Sequence, residues 1–218
     1  MTLRDAPAPR RGLCQTGGVN EPLTVRVYYD FASTLAYVTH RVMERISDEL
    51  AALALELHWV PIDLVGITGW RRGAPVEGVR RDNAQRVASE LGVPVRMPRR
   101  WLDSRLANAI ALELAATPRE PAWRERVFSA LHEQGRPIES GPVLGSLARD
   151  LGFEVDPEGE TPRLAALERA TRAAYAVQVT GVPTFMLGEW PIGGIQPDDV
   201  MLSLLGRWAE RARTRESA

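Results

Sequence analysis

The chain changes its hydrophobic period twice before residue 61, and this limits its fold more than any other feature. Residues 24–31 (Thr-Val-Arg-Val-Tyr-Tyr-Asp-Phe) alternate and are β-branched or aromatic, the mark of a half-buried strand. Residues 34–52 switch to a four-residue recurrence. Val38, Val42, Ile46 and Leu50 share one face, with Arg41, Glu44, Arg45 and Glu49 elsewhere, which predicts a helix. Residues 54–60 alternate again before Pro61. One helix between two such strands predicts a βαβ unit with parallel pairing.

Strand patterning then disappears until residue 184. Residues 66–79 are rich in Gly and Pro and read as a loop, and residues 92–100 carry two prolines that exclude a regular helix. Helical spacing predicts helices over 80–91, 103–116, 121–134, 140–151 and 161–178. Thr184–Leu187 is a short strand, Gly188-Glu189 a turn, Trp190–Ile192 a return strand and Asp198–Arg211 a closing helix. The fold class expected is α/β: a thioredoxin-like domain with an all-α helical insertion. Its parts are a disordered tail (1–22), a first βαβ half (23–65), the insertion (66–172) and a second ββα half (173–213).

Bulk properties narrow the function classes. With 44% hydrophobic and 25% charged residues among 218, the chain is of ordinary globular composition. A net charge of -1 gives no global field toward nucleic acid or an anionic membrane. Every basic residue other than histidine is arginine, so local anion recognition would use planar guanidinium groups. The one cysteine, Cys14, lies in the Pro/Gly/Arg-rich tail, so no internal disulfide and no dithiol pair can form. Residues 1–22 lack the apolar stretch of a secretory signal, and no segment reaches the roughly 18 apolar residues of a membrane span. The cytoplasm is the location expected.

Two segments carry the candidate chemistry. The first is Tyr28-Tyr29-Asp30-Phe31-Ala32-Ser33-Thr34-Leu35-Ala36-Tyr37, where a strand ends and a helix begins. A helix N-terminus offers unpaired N–H groups and the positive end of the macrodipole, which stabilise an anion such as a thiolate. A hydroxyl placed there can donate a hydrogen bond but is a poor nucleophile without a base. The plain alternative is that Ser33 is an N-cap. The second segment is Gly181-Val182-Pro183-Thr184-Phe185, followed by Gly193-Gly194-Ile195-Gln196-Pro197.

Together these segments resemble the DsbA superfamily of thioredoxin-fold proteins, over about residues 24 to 208. Glu90-Leu91-Gly92-Val93-Pro94 and residues 127–138 add to the likeness. The nearest branches are the FrnE-type DsbA-like proteins, the 2-hydroxychromene-2-carboxylate isomerases and the kappa-class glutathione transferases. The resemblance implies that Ser33 and Ala36 stand where a Cys-x-x-Cys pair would be. It implies that Ser33 hydrogen-bonds and stabilises a glutathione sulfur anion, with Phe31 and Ala36 beside it. It also implies a cis Val182–Pro183 bond, and that Val182 pairs with the backbone of a peptide-like ligand. Gly194, Ile195 and Gln196 then occupy the γ-glutamyl end of a glutathione site. Glutathione-using relatives carry a Ser-Asp or Gln-Asp pair there. Ile195-Gln196 lacks the carboxylate, which weakens glutathione binding by the worth of a charge-assisted hydrogen bond, about 1.5–3 kcal/mol. The resemblance also allows a homodimer.

Trp70, Arg71, Arg72, Arg99, Arg100 and Trp101 fall in the two irregular segments of the insertion. A pocket walled by Trp70, Trp101 and Arg100 would suit an aromatic or polyketide-like acid. A solvated basic surface is the alternative. His40, His58 and His132 are scattered without metal-ligand spacing, and no phosphate-cradling glycine loop follows the first strand, so neither metal nor nucleotide is expected. Two readings of function stay open. One is a glutathione- or thiol-linked isomerase or transferase. The other is a redox-inactive DsbA/FrnE-type homologue that binds a peptide or small molecule without dithiol chemistry.

Overall fold

A computed structural model describes residues 21–156 and 160–216. Most of the tail expected to be disordered, Cys14 included, lies outside them. Among the described residues there are four strands and nine helices. β1 (Leu23–Tyr29) and β2 (Leu55–Pro61) flank α1 (Thr34–Arg45) and α2 (Ser47–Ala52). Then follow α3 (Val65–Thr68), α4 (Gly78–Glu90), α5 (Arg105–Leu114), α6 (Glu120–His132), α7 (Gly141–Asp150) and α8 (Glu160–Ala176). β3 (Thr184–Leu187), β4 (Trp190–Gly193) and α9 (Asp198–Glu216) close the chain.

The sheet order is β2-β1-β3-β4, with β1 parallel to β2 and antiparallel to β3, and β3 antiparallel to β4. This is the thioredoxin arrangement that the two ends of the sequence imply. Val27 sits between Trp59 and Phe185 in register. Val25, Val27 and Tyr29 are fully buried on one face, against Val38 and Val42 of α1 and Met201 and Leu205 of α9. Tyr28 points to the other face, into a smaller cluster with Ile62, Ala174, Val179 and Met186. At one edge of the sheet, β4 is four residues long and contains Pro191, which has no N–H to offer.

Three expectations need correction. The helix read over 34–52 is two helices, because Ile46 leaves helical geometry (φ -102°, ψ 18°). A β-branched residue followed by Ser47, Asp48 and Glu49 favours a new helix start at that point. The loop over 66–79 begins inside a single helical turn, α3, ended by Gly69 in the left-handed region (φ 68°). The boundary at 172/173 falls inside α8, which runs unbroken and packs on α5, α3 and β2.

Phe128 of α6 joins insertion to sheet. It is fully buried and its ring meets those of Tyr29, Phe31 and His40 at 4.8–5.7 Å between centroids. Phe128→Ala is expected to lower unfolding stability by about 3–5 kcal/mol through lost burial and the cavity left behind. Urea denaturation of both proteins measures it, and a loss below about 1 kcal/mol would show that the site collapses around the gap.

Candidate functional site

The peptide that carries Ser33 is held from three sides. Asp30, fully buried at the end of β1, accepts hydrogen bonds from the N–H of Ala32 (3.0 Å), the N–H of Leu64 (3.0 Å), the side-chain amide of Asn108 (3.1 Å) and the hydroxyl of Ser104. Burial pushes its carboxyl above the ordinary range, and these donors oppose the shift. Asn108 also accepts from the Phe31 N–H (3.2 Å) and donates to the Ile62 carbonyl (3.0 Å). His132, fully buried and stacked on Tyr37, donates from Nε2 to the Phe31 carbonyl (2.9 Å). Its Nδ1 has no partner among the described residues.

Ser33 itself is the N-cap of α1. Its Oγ accepts from the Ala36 N–H at 3.3 Å, and its own O–H donates to nothing among the described residues. So capping uses an acceptor lone pair and leaves the donor free. Beside it, the Val182–Pro183 peptide bond is cis. The Pro183 carbonyl is taken by the N–H of Gly194 (2.9 Å), whereas the N–H and C=O of Val182 have no partner among the described residues.

The two irregular segments are laced together: Trp101 N–H to Ala74 O (2.8 Å), Gly73 N–H to Trp101 O (2.7 Å) and Val76 N–H to Arg99 O (3.0 Å). This lacing sets Trp70 edge-on to Trp101, with 4.6 Å between centroids. The result is a cavity of about 160 Å³ that Ser33, Trp70, Trp101 and Val182 share with Leu64 and Val76. Arg71 and Arg80 line it too, neither paired with a carboxylate among the described residues, and Arg80 lies 3.9 Å over the Trp70 ring. The Trp101 indole N–H is buried without a partner among the described residues.

Other expected site residues lie elsewhere. Phe31 and Ala36 are fully buried and present no surface to a ligand, because the α1 face that carries Ala36 packs into the core and Phe31 meets Tyr29 and Phe128 edge-on. Arg100 pairs with Glu139 and lines a different cavity with Arg99. Arg72 pairs with Asp63. Gly194, Ile195 and Gln196 do not line the Ser33 cavity; Ile195 is a core residue and Gln196 is exposed. Asp30, Asn108, Ser104, His132 and Arg80 were missed. Ser104 and Asn108, four apart on an otherwise apolar helix face, were the legible signal of a buried polar partner.

His40, Glu44 and Glu125 bring ligand atoms within 4.8 Å of one another. The geometry does not suit a cation. Arg124 donates to His40 Nδ1 (3.0 Å), so Nε2 carries the proton and donates to Glu125 (2.9 Å). Arg41 bonds both Glu44 and Glu125, and hydrogen bonds from His40 and Arg41 hold the Glu125 carboxyl down at about 2. The cluster locks α6 to α1.

A family profile described as a DSBA-like thioredoxin domain matches residues 24–206. The chain belongs to that family. No curated protein sequence matches it significantly. Among solved structures, this DsbA-like domain is similar to a 2-hydroxychromene-2-carboxylate isomerase, with a TM-score of 0.66, 22% identity, and coverage of 89% of this chain and 98% of that one. It is also similar to the cytosolic disulfide reductase DsbM of Pseudomonas aeruginosa, solved with GSH (TM-score 0.56, 21% identity, coverage 90% and 100%). DsbA of the same organism follows at a TM-score of 0.51 and 17% identity, with coverage of 98% and 92%. At these identities the likeness is one of fold. Among the described residues, no helix is long and apolar enough to cross a membrane.

Burial pulls the His132 imidazole down to about 4, from an ordinary 6.5. Between those values the unfolded chain takes up a proton that the folded chain refuses. The contribution of His132 to stability is therefore complete above pH 6.5 and is lost as pH drops toward 4, by about 3 kcal/mol. His132→Gln is expected to flatten this slope, whatever its own baseline cost. Denaturation midpoints at pH 7 and pH 4.5 read the difference; parallel slopes in the two proteins would show that His132 is not the group responsible.

Proposed function

We propose that this DsbA-like domain binds a thiol, glutathione or one like it, beside a small aromatic acid, and catalyses a thiol-linked isomerisation or transfer. The observation that carries this reading is the free Ser33 hydroxyl proton at the N-terminus of α1, at the wall of a tryptophan-lined cavity. A thiolate there gains a hydrogen bond and the positive end of the helix dipole. Its sulfur then adds to the β-carbon of a double bond conjugated with a carbonyl, and the π pair moves onto the carbonyl oxygen as an enolate. In isomerisation the former double bond, now single, rotates, and the enolate pair re-forms it as the thiolate is expelled; in transfer a solvent proton goes to the α-carbon and the thioether stays.

The other groups fit that assignment. The unpaired Val182 N–H and C=O suit the backbone of a peptide-like thiol, strand to strand. Arg71 and Arg80 supply guanidinium groups for a carboxylate. A cavity of about 160 Å³ holds one aromatic ring rather than a fused polyketide skeleton. Dithiol exchange is excluded by composition, since Ser33 and Ala36 carry no thiols. Two proteins of the same fold lend support: one is an isomerase of an aromatic carboxylate, and the other was solved with GSH.

A second reading is favoured by one observation. Ile195 is buried and Gln196 is exposed outside the cavity lining, so the pair offers no carboxylate to a γ-glutamyl ammonium. On this reading the domain binds a peptide or small molecule through Val182 and turns nothing over.

Melting curves with and without millimolar glutathione separate the two. A ligand at 100 times its Kd adds about 2.7 kcal/mol to the native state. The thiol-linked reading expects a shift in wild type that shrinks in Ser33→Ala, and turnover of aromatic acids lowered about 10²–10³-fold by the same change. No shift in either protein leaves the binder reading standing. The wild type is also expected to leave a test disulfide untouched, while the double variant Ser33→Cys, Ala36→Cys gains exchange activity; an active wild type sinks both readings.

A further inference from the structure

We propose a second ligand site, at the end of the sheet opposite Ser33, for a small amphiphilic anion: a carboxylate or phosphate on an apolar body. Ser33 follows the C-terminal end of β1, whereas this cleft is lined by the strand's N-terminal half, roughly 20 Å away along it. The cleft lies between β1, the turn joining β3 to β4, and the last turns of α9, and has a volume of about 530 Å³. That is the size range of pockets that enclose small molecules.

Two kinds of side chain give the cleft its chemistry. Arg26, Arg211 and Arg215 line it, and none has a carboxylate within ion-pair distance among the described residues. Arg26 is exposed on a central strand whose opposite face, Val25 and Val27, is fully buried. Arg211 and Arg215 stand four apart on α9, where like charges repel unless an anion lies between them. Glu189 is the one carboxylate of the lining and pairs with none of them. The apolar half is tryptophan: Trp190 is 71% exposed on the hairpin, and Trp208 of α9 lines the same cleft. A large exposed indole beside unpaired guanidinium groups matches a molecule with one apolar and one anionic end.

The N-terminal tail does not supply the occupant. Residues 1–20, just before β1, carry Arg4, Arg10 and Arg11 against one acid, Asp5, and so have the wrong sign. The net charge of -1 makes this attraction local rather than a property of the whole surface. A concave cleft favours a free molecule over a bilayer.

The test is calorimetric titration of the full chain with monomeric decanoate, and with 1-decanol as its neutral counterpart. The expected result is saturable decanoate binding, at least tenfold tighter than decanol. It should be weakened about tenfold by Arg211→Glu with Arg215→Glu, and by Trp190→Ala, but unchanged by Trp70→Ala in the Ser33 cavity. Each altered side chain of the cleft is exposed, so melting points should stay near wild type. If the double charge reversal nevertheless misfolds, Trp190→Ala and the decanol comparison still decide. Equal affinity for decanol overturns the proposal. So does loss of binding in Trp70→Ala alone, which would place the probe beside Ser33. Co-sedimentation with anionic vesicles without monomer binding overturns it in favour of a lipid surface. The result does not depend on whether Ser33 handles a thiol.

Discussion

The buried carboxylate of Asp30 is the constraint on which the rest of the site depends. An acid in an apolar interior is unfavourable unless donors converge on it, and here four do, from three different places in the chain. Ala32 lies on the loop to α1, Leu64 just beyond β2, and Ser104 and Asn108 at the start of α5. One residue thereby fixes where the first strand ends, where the second strand's exit runs, and how the helical block docks. Ser33 inherits its position from this junction. So does Leu64, which lines the same cavity.

The α1–α6 seam performs a related task with charges. Tyr37 donates to Glu133, Arg41 reaches Glu125 and Glu133, and Arg124 bridges His40 and Glu120. Arg41, Glu125 and Glu133 are partly exposed, and exposed pairs contribute little stability individually, whereas Tyr37, His40, Glu120 and Arg124 are buried. Their geometry is directional, however, and it resists rotation of α1 about its own axis. A cap residue at the first turn of a helix is only as well placed as the helix is oriented.

How much of this was legible depended on whether the signal was local. The four strands and the closing helix follow from period and from β-branched composition over contiguous residues, and the parallel pairing of β1 with β2 follows from the helix between them; that β3 lies beside β1 is a long-range pairing that no local pattern records. Ser33 at a helix start is equally local. The kink at Ile46 was hidden because Val42, Ile46 and Leu50 keep their spacing across it. The cavity was half legible. Trp70 and Trp101 stood out as tryptophans in irregular segments, but the partner arginine is Arg80, which reaches Trp70 from a helix, and not Arg100, which Glu139 holds elsewhere. That choice is made by tertiary placement, which no spacing records. The resemblance puts Phe31 and Ala36 beside a ligand, Ala36 in the second cysteine position; the turn into α1 and the helix itself carry both side chains into the core instead.

Pro191 bears on how molecules of this protein meet. The open edge of a sheet is a template on which another strand can be laid, and repeated laying produces polymers. Here that edge is four residues long and lacks one of its donors. Laying a second copy's strand along β4 is therefore disfavoured, and at that edge a neighbouring molecule is met through side chains instead.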